Sequence, residues 1–226
     1  MIFISKGQSV LFAAGVSLAL AFTFGCSSDD KDDGGGKNTD STPSPCPNAV
    51  TGDNTVSCGG QTYKTVKIGN QTWMAENLNY KVKDSKCYDN KGSNCNKYGI
   101  LYDWSTAMSV CPKGWHLPSN ADWEELINYV ENENDCYGCA GTYLKATSDW
   151  NEDGNGENTY SFSALPSGIG NSDGSFRDIG EYGVWWSSTE SYEYDAYGRL
   201  MYYAYDYSFG QVGGKEILLS VRCLQD

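Results

Sequence analysis

The scarcest reactive side chains in this chain are nine cysteines and a single histidine, set beside seven tryptophans. A thiol can serve as a metal ligand, a redox centre or a staple, and spacing separates these roles. Cys136-Tyr137-Gly138-Cys139 has the two-residue gap of a zinc or redox motif. Zinc needs two further ligands, and His116 is the only imidazole on offer. A redox pair belongs after a strand of a thioredoxin-like unit, and none is visible around it. The staple reading leads. Cys26 stands apart, near the start, as a candidate for lipidation. Nine minus one leaves eight cysteines, an even number that suits four disulfides in an oxidising compartment. Cys87 and Cys95 bracket the turn sequence Asp89-Asn90-Lys91-Gly92, and Cys46 and Cys58 bracket Thr51-Gly52-Asp53-Asn54. Cys136 closes on Cys139. Cys111 is left for Cys223, joining the middle of the chain to its end.

The other candidate chemistry is ligand binding. Asp149, Asn151 and Asp153 alternate along Asp149-Trp150-Asn151-Glu152-Asp153-Gly154 as oxygen ligands do at the start of a calcium loop. Tyr160 holds the twelfth position, where a bidentate Glu is expected. These three residues are the calcium candidates, and no other cofactor is expected. Catalysis would need a nucleophile with a base, or paired carboxylates in a cleft. No such set can be located, so the expectation is a non-enzyme. His116, between Trp115 and Leu117-Pro118, reads as structural. Sugar rings pack their C–H faces on aromatic rings while neighbouring polar groups bond the hydroxyls. Trp150, Trp186, Tyr192, Tyr194 and Tyr197 supply rings, and Asn158, Asp195 and Arg199 supply polar partners. In Ser191-Tyr192-Glu193-Tyr194-Asp195-Ala196-Tyr197 the acids between the tyrosines predict an exposed patch. Trp73, Trp104, Trp115 and Trp123 are assigned to the core.

These side chains need a scaffold and a place. An uncharged apolar run from Val10 to Phe24 follows Lys6 and ends at Gly25-Cys26. It is shorter than the roughly 20 residues of a membrane span and reads as a signal peptide over residues 1–25. Thr23-Phe24-Gly25-Cys26 resembles a lipobox, with Thr in place of the usual Leu. Residues 26–45, rich in Asp, Gly, Ser, Thr and Pro, read as a flexible tether. The acids after Cys26 resemble a signal for surface export. Residues 46–226 then form one folded domain. The expected address is the outer membrane, surface-exposed and lipid-anchored. A net charge of −13 has the wrong sign for a nucleic-acid partner.

Alternation through residues 61–68, a Gly69-Asn70 turn and Gln71-Thr72-Trp73-Met74 predict a hairpin. Leu101, Trp104, Ala107 and Met108 recur at helical spacing within residues 98–110. Ser119, with Asp122 three residues on, predicts the cap of a second helix carrying Trp123, Leu126, Ile127 and Val130. Residues 149–160 read as a polar loop. Met201, Tyr203, Tyr205, Tyr207 and Phe209 predict one strand face, and residues 218–224 a final strand. The class is α+β.

Several motifs occur together in order: Val66-Lys67-Ile68-Gly69-Asn70-Gln71-Thr72-Trp73-Met74-Ala75-Glu76-Asn77-Leu78, Tyr98-Gly99-Ile100-Leu101-Tyr102-Asp103-Trp104, Cys111-Pro112-Lys113-Gly114-Trp115-His116-Leu117-Pro118, Trp185-Trp186-Ser187-Ser188-Thr189-Glu190 and Ser220-Val221-Arg222-Cys223. Together they resemble the Fibrobacter succinogenes major paralogous domain. That resemblance implies a C-type lectin-like fold: two helices, small antiparallel sheets, long loops and a bridge to the terminal strand. It also implies an exported binding or adhesion module, for polysaccharide or a surface protein. A structural envelope component and a hydrolase are the alternatives, and no catalytic residues carry across.

Overall fold

The computed structural model describes Cys46 and residues 49–226. The leader, the lipid site at Cys26 and the tether to residue 45 lie outside the described residues. Among the described residues no helix is long and apolar enough to cross a membrane.

Turn chemistry shapes the first part of the fold. β1 (Val50–Gly52) and β2 (Thr55–Cys58) form a hairpin in which Asn54 takes a left-handed φ of 56°. β3 (Gln61–Ile68) and β4 (Gln71–Met74) form the expected second hairpin through Gly69-Asn70. The helix expected across residues 98–110 is broken into pieces. α1 (Gly92–Tyr98) follows a 3-10 turn, so Cys95 lies in a helix and not in a hairpin. Gly99 then ends it at φ 79°, where a Cβ would lie 2.8 Å from the Asn77 Cβ. β5 (Leu101–Tyr102) is extended, and α2 (Trp104–Val110) restarts when Asp103 accepts from the Thr106 N–H at 3.0 Å. Trp104 is therefore only half-buried, contrary to the core role expected of it, and Met108 is exposed.

After β6 (Trp115–His116) comes α3 (Asn120–Glu133). Ser119 and Asp122 satisfy each other's backbone N–H groups in a capping box, and Trp123, Leu126, Ile127 and Val130 are buried as the spacing requires. α4 (Ala140–Leu144) is a short turn of helix, and β7 (Ile169–Gly170) pairs with β8 (Phe176–Arg177). β9 (Tyr182–Tyr192), β10 (Asp195–Tyr202) and β11 (Ser208–Gly214) form an antiparallel meander. The single strand expected over residues 200–209 is a hairpin, because the chain turns between Tyr202 and Ser208. β12 (Leu219–Ser220) and β13 (Leu224–Gln225) divide the expected last strand between two sheets. One sheet runs β1-β2-β3-β4-β13-β6, a second β11-β10-β9-β12-β5, and β7-β8 form a small third, giving an α+β fold.

Adjacent residues of a strand point to opposite faces, and β9 uses this to serve two cores. Trp186 packs with Tyr63, Tyr102 and Val221 on one side. Trp185 packs with Trp73, Trp123 and Phe162 on the other. Burying each such ring contributes about 2–3 kcal/mol. Arg222, fully buried, lies between β12 and β13 and hydrogen-bonds to neutral acceptors. Its guanidinium donates to the carbonyls of Phe162 and Ser163 and to Asn77 Oδ1, 4.4 Å from the Phe162 ring centre. Asn77 Oδ1 also accepts from Trp185 Nε1 at 2.8 Å, and its amide donates to Tyr98 O at 2.9 Å. One asparagine thus joins the loop after β4 to α1, β9 and the terminal segment. The four disulfides link Cys46–Cys58, Cys87–Cys95, Cys111–Cys223 and Cys136–Cys139, the pairs expected from spacing.

Candidate functional site

The β9–β10 turn holds the most exposed of the predicted aromatics. Tyr192 is 73 % and Tyr194 72 % exposed, because Glu193 and Asp195 keep this tight turn in water. The turn is held from below. Lys215 donates its backbone N–H to Tyr194 O at 2.9 Å and its ammonium to Glu193 O at 2.7 Å and to the Glu190 carboxylate. The same ammonium lies 4.7 Å over the Trp104 ring. That contact accounts for the half-buried position of Trp104.

Tyr194 overhangs a groove of about 610 Å3. Phe176 and Leu218 supply apolar surface, and Asp84, Asp103, Glu193 and Glu216 supply carboxylates, against only Lys86 and Lys215. Its volume falls within the usual range of ligand pockets. Asp103 is partly committed to capping α2, also accepting from Ser105 Oγ at 2.6 Å. The free acceptors in the groove suit hydroxyl donors. The excess of carboxylate disfavours anions.

The remaining predicted residues lie elsewhere. Trp150 is buried in the second core, donating its indole N–H to Ala164 O at 3.0 Å, and it does not line the groove. Trp186 is wholly buried and donates to Tyr102 O at 2.7 Å. Neither presents a face to a ligand, which corrects the expectation that both supply rings to a binding site. Asn158 staples its own loop, accepting from the Ser163 N–H at 2.7 Å and donating to Ser163 Oγ at 2.9 Å. Asp195 and Tyr197 are half-buried at the start of β10. Arg199 is buried and pairs with Glu124 of α3.

The calcium candidates do not converge. The Asp149 carboxylate bonds Lys97 and Ser148, and Asn151 lies against Gly180. Among the described residues no cluster of three or more His, Cys, Asp or Glu is arranged for a metal ion. Asp153 faces a polar pocket of about 300 Å3 whose wall includes Lys145. The Lys145 ammonium donates to Tyr205 O at 2.7 Å and Tyr203 O at 3.3 Å, which ties it to the β10–β11 turn, and burial pushes its pKa down to about 8. His116 is half-exposed, with Nδ1 2.8 Å from the Asp226 carboxylate, at the rim of the first sheet.

Phe176 escaped the sequence reading, and only its isolation in a Gly/Ser/Asp stretch signalled it. So did the run of rings Tyr182, Tyr202, Tyr205, Tyr207 and Phe209, each within 4.6–5.4 Å of the next. The tyrosine density is visible in the sequence, but its alternation predicts one strand face.

Neither the curated proteins nor the solved structures compared with the chain give a match. A model of the Fibrobacter succinogenes major domain matches residues 66–225, from β3 to the last strand, and the chain belongs to that family.

Proposed function

We propose that this protein is a lipid-anchored, surface-displayed recognition module that binds neutral polysaccharide in the groove under Tyr194. The observation that carries the reading is the exposure of Tyr194 over a groove lined by Phe176 and by the carboxylates of Asp84, Glu193 and Glu216. An aromatic face beside hydrogen-bond acceptors is the combination that a pyranose requires, apolar on its C–H side and rich in donors at its rim. The acid excess favours an uncharged polymer over a uronate or sulfated one. Anchoring through Cys26 and a tether over residues 26–45 would hold the module at the outer membrane surface, where such polymers are met. The arrangement of helices, small sheets and a Cys111–Cys223 bridge to the terminal segment supports kinship with C-type lectin-like domains. Calcium plays no part in this reading.

Retention on insoluble cellulose tests it. The mature protein is expected to sediment with cellulose, and Tyr194→Ala to lose roughly tenfold in affinity. That substitution lies at an exposed turn and should alter stability by no more than about 0.5 kcal/mol. Absence of retention in the wild type would sink the proposal.

A further inference from the structure

At the opposite end of β10 from Tyr194 lies a second cleft, of about 650 Å3. The cleft takes in Arg199, five residues along the chain from Tyr194, so at about 3.3 Å per residue the two lie roughly 16 Å apart. One wall is Tyr207 and Phe209, at the start of β11; the other is α3, with Glu124 and Glu131. Arg199, buried and paired with Glu124, forms the floor. Tyr137 stands at the mouth, 99 % exposed.

That exposure is unusual for so large an aromatic side chain. Tyr137 sits inside the four-residue loop closed by Cys136–Cys139. The loop is seated against the aromatic wall, where a Cβ at Gly138 would lie 3.7 Å from the Tyr207 Cβ. The staple therefore fixes an exposed ring beside Tyr207, itself 39 % exposed and stacked at 4.9 Å on Tyr205. Tyr137 and Tyr207 as rings, with Glu124 and Glu131 as carboxylates, share with the first groove an aromatic face beside oxygen acceptors; the paired Arg199 beneath is particular to this cleft. Nothing at the rim offers an unpaired cation to an anionic polymer.

We infer that this cleft, bounded by Tyr137 and Tyr207, is a second binding site for neutral polysaccharide, so that one molecule grips an extended chain at two points. The inference rests on the reading of the protein as a polysaccharide-recognition module. Two weak sites on one rigid body raise the local concentration of the second contact, so a long polymer is held more tightly than a short oligosaccharide.

Affinity electrophoresis of the full chain through gels containing hydroxyethylcellulose, with polygalacturonate gels as the charged control, tests this directly. Four proteins are compared: wild type, Tyr137→Ala, Tyr194→Ala and the double variant. Tyr137→Ala should keep the wild-type melting temperature and lose roughly tenfold in affinity, and the double variant should lose retardation altogether. Calorimetry with cellohexaose should count two sites in the wild type and one in Tyr137→Ala. If Tyr137→Ala migrates as wild type while Tyr194→Ala is released, the second site is overturned and the first stands. If only Tyr137→Ala is released, the second site stands and the groove under Tyr194 does not. A wild type retarded only by polygalacturonate, or by neither polymer, overturns both. A dimer in solution that Tyr137→Ala converts to monomer would make the cleft a contact between copies, and would overturn it as a glycan site.

Discussion

Asn77 Oδ1 accepts from Trp185 and twice from Arg222, all of them buried. A guanidinium stays charged at neutral pH even here, where burial lowers its pKa. Asn77→Leu should therefore cost about 3 kcal/mol, the value of bonds to a buried charge, measured by urea denaturation. A cost under about 1 kcal/mol would contradict the hub. Two tyrosines set an alkaline limit. Burial pushes Tyr63 up to about 12 and raises Tyr102 well above its ordinary 10. Their folded values exceed their unfolded ones, so the stability they contribute is complete below pH 10 and is lost as pH rises towards 12. Ultraviolet titration of the tyrosines should show Tyr63 and Tyr102 ionising only as the fold is lost. At this scale the cysteine pairs were legible, because parity and turn residues constrain them. The burial of Trp150 and Trp186 was not. A tryptophan beside polar residues reads alike whether it faces a ligand or a core, and β9 has a core on each face.

Among the elements, the staples differ by the length of chain that they close. Cys111–Cys223 spans 112 residues and Cys136–Cys139 spans three. Chain-entropy arithmetic gives roughly 4–5 kcal/mol for the first and about 2 kcal/mol for the second. Removing the long bridge with Cys111→Ala and Cys223→Ala should lower the midpoint of denaturation more than Cys136→Ala with Cys139→Ala. The reverse order would mean that packing, not closure, dominates. The short bridge instead positions Tyr137. The hairpin of β3 and β4 and the cap of α3 followed from local sequence, since their turn and capping residues act within a few positions. The split of residues 98–110 did not. Leu101, Trp104 and Met108 keep helical spacing, and the break comes from Gly99 meeting Asn77, more than twenty residues away in sequence. The tyrosines of residues 201–209 misled in the same way: their alternation suits a strand, yet the turn joining β10 to β11 places them at a sheet end.

At the scale of the whole fold, the described residues form three sheets, two cores and four bridges, and the exposed aromatics gather towards the two ends of β10. The α+β class was visible in the order of hairpins, helices and meander. The place of the groove was not, because its wall joins Phe176 of β8, Tyr194 of the β9–β10 turn and Glu216 after β11, far apart in sequence. Its acid lining gives the account a signature that a charged ligand could not produce. Exposed charge pairs are screened by salt, whereas ring stacking and neutral hydrogen bonds are not. The decisive measurement is retention on insoluble cellulose across a salt series from roughly 0.05 to 0.5 M. Affinity should be nearly constant throughout and fall about tenfold with Tyr194→Ala. Binding that disappears as salt rises, or that Tyr194→Ala leaves intact, would contradict recognition of a neutral polysaccharide in this groove.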